Sequence, residues 1–188
     1  MVWLEEGYRK VLIIFGFLFI AVSAIQLFTI YLLMTTTINL YGKKMLFQDF
    51  IFNSTFVPLS GSLLFIFIII TVIFFLIVGI LLLKISSKKI IDNTLRAKSM
   101  LMLGVLILIF SFVKLGYITF LNRTEINIGS EFRTFQHIIY SSNFGPFYIV
   151  IIWLFFIGVV CFYLMSGLVF GGLGLHWTLE LQKQEEEN

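Results

Sequence analysis

Ile38 to Pro58 reads I-N-L-Y-G-K-K-M-L-F-Q-D-F-I-F-N-S-T-F-V-P, and Ile126 to Pro146 reads I-N-I-G-S-E-F-R-T-F-Q-H-I-I-Y-S-S-N-F-G-P. Ile-Asn, Phe-Gln, an Ile, a Ser, a Phe and a Pro recur, each displaced by 88 positions (126 − 38) without a gap. The register extends outward on both sides. Lys10 falls on Lys98, Gly16 on Gly104, Ser23 on Ser111 and Thr36 on Thr124, and after the second copy Gly79 falls on Gly167. Shared Leu and Ile carry little weight in so apolar a chain. Shared Asn, Gln, Pro and Gly carry more because they are scarce here, and an unbroken register of scarce residues is the mark of a duplicated unit.

The stretches between these copies determine the class. Of the 188 residues, 60% are hydrophobic and 12% charged, with a mean hydropathy of +1.04. A soluble domain of this size could not keep that much apolar surface from water. Val11–Met34, Leu59–Leu83, Ser99–Leu121 and Phe147–Phe170 are apolar runs, each near or above the roughly 20 residues that cross a bilayer as a helix. The expected fold is an all-α integral membrane protein with four transmembrane helices, arranged as two parallel tandem repeats of helix, outer loop and helix. The repeats occupy 1–88 and 89–176 of a single membrane domain, 1–176, and 177–188 form a cytoplasmic tail. A helix end is expected around Gly171-Gly172-Leu173-Gly174.

Charge orients the chain. Arg9, Lys10, Lys84, Lys88, Lys89, Arg96, Lys98 and Lys183 flank the spans on one side, against Lys43, Lys44, Arg123 and Arg133 on the other. The excess puts both termini and the central connection in the cytoplasm and the loops 35–58 and 122–146 outside. The same placement at helix ends argues against nucleic acid as the partner of this basic chain. Arg9-Lys10, the apolar run and Ala21-Val-Ser-Ala24 resemble a signal peptide, but the run continues to Met34 and its counterpart is internal. An uncleaved anchor is expected. The one cysteine, Cys161, cannot close an internal disulfide.

In each loop Phe47, Phe50 and Ile51, and likewise Phe135, Ile138 and Ile139, follow i, i+3, i+4 spacing, which predicts a short amphipathic helix at the membrane surface. Phe47, Gln48, Asp49, Phe135, Gln136 and His137 then form a candidate surface for a partner or lipid. Asp49 and His137 occupy equivalent places and could pair across a pseudo-two-fold axis. Along the first span Gly16, Ser23, Leu27 and Ile30 share one face, which predicts contact between spans one and three.

Lys114 is the one charged residue well inside a span, and its counterpart is Gln26. An intramembrane cation is costly, so Gln26, Lys114, Ser23 and Ser111 are the candidate polar set. The competing expectation is that Lys114 snorkels to the outer interface. Asn53-Ser54-Thr55 and Asn122-Arg123-Thr124 match the glycosylation acceptor pattern. No catalytic, metal or cofactor motif accompanies these residues, so no cofactor is expected. The composition favours a non-enzymatic scaffold or accessory subunit whose partners are the lipid bilayer and other membrane subunits, or further copies of itself. The alternative is a small transporter or channel with a polar point at Gln26/Lys114. A membrane enzyme is the weakest of the three, since acids and bases are few on any one face.

Overall fold

A backbone in hydrocarbon must satisfy its own polar groups, and long apolar runs do so as helices. In the computed structural model, which describes residues 2–3, 6–40, 43–53, 61–87, 90–91, 94–128, 131–134, 136–137 and 146–186, the runs are helical. The long helices are α1 (Glu6–Thr35), α3 (Gly61–Ser86), α4 (Thr94–Arg123) and α5 (Pro146–Glu186). Each is long and apolar enough to cross a membrane. A short helix, α2 (Phe47–Asn53), lies between α1 and α3. Pro146 opens α5, a position where its fixed φ fits and its missing N–H costs nothing. Pro58 and Leu59 lie outside the described residues.

The fourth helix differs from the sequence expectation. It continues through Gly171, Gly172 and Gly174 to Glu186, 41 residues in all, or roughly 60 Å at 1.5 Å per residue. Packing overrides the weak helix propensity of glycine. A methyl group on Gly174 would strike the backbone of Leu101, and Trp177 and Leu181 beyond it are buried. Residues 177–186 of the expected tail are helical, with Trp177 and Leu181 packed inward.

The described residues also form short antiparallel strand pairs: β1 (Val2–Trp3) pairs with β4 (Ile90–Ile91), β2 (Thr37–Leu40) with β3 (Lys43–Leu46), and β5 (Glu125–Ile128) with β6 (Glu131–Thr134). The hairpins were not foreseen. Their signal is short: the β-branched run Thr36-Thr37-Ile38 in the first loop, and two residues between strands, Tyr41-Gly42 and Gly129-Ser130, the spacing tight hairpins favour.

The chain divides into two compact units. Unit 1 comprises Met1–Ala24, Ile73–Phe112 and Val160–Asn188; unit 2 comprises Ile25–Val72 and Val113–Val159. Within unit 1 the helices approach at glycine. A Cβ on Gly79 would lie 2.9 Å from the carbonyl oxygen of Gly16, and one on Gly167 would lie 3.1 Å from that of Gly104. Gly16 therefore faces α3, not α4, which corrects the expectation that it serves contact between spans one and three. The small residues bring together the two helices of one hairpin, since close backbone approach is what associates helices in lipid. Rings fill the space beside them: Phe19 packs against Phe75, Phe162, Tyr163 and Phe170, and Phe75 stacks on Tyr163 at 3.6 Å between centroids. Within unit 2, the Phe47 N–H donates to the Thr36 carbonyl at 2.9 Å, joining α2 to the end of α1.

Candidate functional site

In unit 2, α1 supplies Gln26 and α4 supplies Lys114. Both are fully buried, and the Lys114 ammonium donates to the Gln26 side-chain carbonyl oxygen. The ammonium is thus directed at α1 and not extended to the surface of the unit. A charge held in low dielectric needs such acceptors, and α1 presents one where α4 needs it. The other two members of the candidate set belong to unit 1 and are satisfied there. The Ser23 hydroxyl lies 3.5 Å from the Tyr163 hydroxyl. Ser111 donates to the Ile107 carbonyl of its own helix at 2.6 Å, the back-bond by which serine is commonly accommodated in a helix interior. The structure thus brings Gln26 and Lys114 together and gives Ser23 and Ser111 separate partners.

Sequence reasoning missed a second buried polar contact of unit 2, between the Thr71 and Tyr117 hydroxyls at 3.1 Å. Thr71 also donates to the Ile68 carbonyl at 2.8 Å. The available signal was the position of Tyr117, three residues after Lys114 and so on the same helix face. Tyr163 was missed as well; it stands where the first half of the chain has Phe75, displaced by 88 (163 − 75).

The loop residues divide by exposure. Gln48, Asp49, Gln136 and His137 are exposed. Phe47 is 6% exposed, with its ring 6.1 Å from that of buried Phe50, so it is not part of an accessible surface. The apolar face of α2 is turned inward and leaves its polar face, with Phe52, outside. Phe135, Ile138 and Ile139 lie outside the described residues. Among the described residues no ion pair joins Asp49 to His137; the His137 N–H donates to the Thr134 hydroxyl at 3.3 Å. Asn122 sits in the last turn of α4, and the threonine of its triplet, Thr124, is buried and donates to the Phe120 carbonyl at 2.7 Å. In the first triplet Ser54 and Thr55 lie outside the described residues.

Among the described residues no three His, Cys, Asp or Glu side chains are grouped to hold a metal ion. Cys161 is free and exposed. The four apolar helices suggest an integral, multi-pass membrane protein. No protein family, curated protein or solved structure matches the chain.

Proposed function

We propose that the protein is two parallel copies of one helical hairpin and serves as a non-enzymatic scaffold or accessory subunit, engaging a membrane partner or lipid through its paired outer loops. The duplication is supported by element bounds that recur at one displacement. α1 and α4 start and end 88 residues apart (94 − 6 and 123 − 35), as do the hairpins (125 − 37 and 134 − 46). It is also supported by residues that meet their own counterparts, as a local two-fold requires. In unit 1, Phe75 stacks on its counterpart Tyr163, while Val2 pairs with Ile91, the counterpart of Trp3, and Trp3 with Ile90, the counterpart of Val2, the exchange of partners a two-fold gives. In unit 2, Gln26 meets Lys114.

The observation that carries the functional reading is the loop surface. Gln48 and Asp49 in one copy and Gln136 and His137 in the other are exposed at the same register. Purification in mild detergent followed by mass measurement of the intact assembly tests it. A second subunit at fixed stoichiometry, lost in Gln48→Ala/Gln136→Ala, is expected. The chain running alone, whatever the loop substitutions, would contradict it.

One observation favours a second reading. Gln26 and Lys114 form a charged, buried contact in a chain of few charges, and intramembrane ionisable residues are often on transport paths. A small transporter or channel would show flux in liposomes that Lys114→Gln alters.

A further inference from the structure

The end of unit 1 that holds the central connection carries an uneven charge. Lys84 lies in the last turn of α3, and Arg96 and Lys98 in the first turns of α4; all three are exposed. Lys88 and Lys89 stand between them in the sequence, with Asp92 as the sole acid from residue 84 to residue 98. The equivalent stretch 88 positions on, 172–186, is Gly-Leu-Gly-Leu-His-Trp-Thr-Leu-Glu-Leu-Gln-Lys-Gln-Glu-Glu. There Gly172 replaces Lys84, Gln184 replaces Arg96 and Glu186 replaces Lys98. One copy has become basic and the other acidic.

Local contacts sharpen the difference. Lys10 is matched by Glu6 at 2.8 Å, one turn before it, whereas its counterpart Lys98 has Thr94 in that place. His176 is matched by Glu180 at 3.2 Å. The basic connection is also tied down. The Arg9 Nε–H donates to the Ser86 carbonyl at 3.1 Å, and Ile90 and Ile91 pair with Trp3 and Val2. Beside this end, Tyr8 packs edge-on against buried Trp177 at 6.2 Å.

We infer that the facing ends of α3 and α4, through Lys84 and Lys98, bind the phosphate of an anionic phospholipid headgroup in the adjacent leaflet. Exposed ammonium and guanidinium groups at the ends of membrane helices are placed to reach lipid phosphates, and each basic residue near such a surface strengthens binding by about five-fold. This rests on the membrane-spanning assignment but not on the outer-loop reading, because the loop residues belong to unit 2.

The test is retention of phosphatidylglycerol against phosphatidylcholine of matched chains by the purified full-length protein, read by native mass spectrometry. Wild type should retain phosphatidylglycerol selectively. Lys84→Gln/Lys98→Gln should weaken that retention by on the order of ten-fold or more, Lys84→Arg/Lys98→Arg should preserve it, and Lys183→Gln should leave it unchanged. Selectivity of the wild type should also fall between about 0.05 M and about 0.5 M salt, a readout that needs no variant to fold. Equal retention of the two lipids, unchanged selectivity in the Gln variant, or displacement of the lipid by millimolar-range inorganic phosphate alone would overturn the inference.

Discussion

Lys114 concentrates the energetic question at the scale of a single residue. Its ammonium is buried and donates to Gln26, so Lys114→Leu leaves a polar acceptor in an apolar interior, a change that costs about 1–3 kcal/mol. Replacing both partners by apolar groups of similar shape is close to neutral. Thermal unfolding in detergent should therefore rank Gln26→Leu/Lys114→Leu above Lys114→Leu; strict additivity of the two single effects would show that the contact contributes nothing. Tyr163→Phe is expected to be milder. It keeps the stack on Phe75 and removes a 3.5 Å hydroxyl contact with Ser23, so the same assay should show a loss below about 1 kcal/mol, the usual range for such bonds in membranes. Lys114 and Gln26 were legible in the sequence because a charge in an apolar run stands out. Thr71 and Tyr117 were not, since single hydroxyls in such runs usually bond to their own helix.

Between elements, the glycine contacts bear the packing. A methyl on Gly104 would strike the backbone of Gly171, while one on Gly116 meets nothing within 4 Å. Gly104→Ala should therefore force α4 and α5 apart at a cost of about 1–3 kcal/mol, whereas Gly116→Ala should be neutral or slightly stabilising, because alanine is the better helix former. Equal effects of the two substitutions would contradict the close approach. Their recurrence at one displacement made Gly16, Gly79, Gly104 and Gly167 visible in the sequence, but which helices they join was not, because spacing defines a face and not its partner. The hairpins were hidden for a different reason: strands of four residues are too short for a period-two pattern to emerge. The extension of α5 past Gly174 depends on contact with α4, which no local propensity records.

For the whole molecule, the proposed function requires that two like hairpins cross the bilayer in the same direction. Both described β-hairpins and α2 belong to unit 2, while residues at the amino terminus, Ile90–Ile91 and the carboxyl end of α5 belong to unit 1. The apolar runs made the four membrane-length helices legible from the sequence, because bilayer thickness sets a minimum span length. Single cysteines placed at Gln48, Gln136, Ser87 and Lys183 in a Cys161→Ser background, probed with a membrane-impermeant maleimide in sealed vesicles of each orientation, test the shared direction most directly. The account predicts that positions 48 and 136 react from one face and positions 87 and 183 from the other. Labelling of 48 and 136 from opposite faces would contradict it.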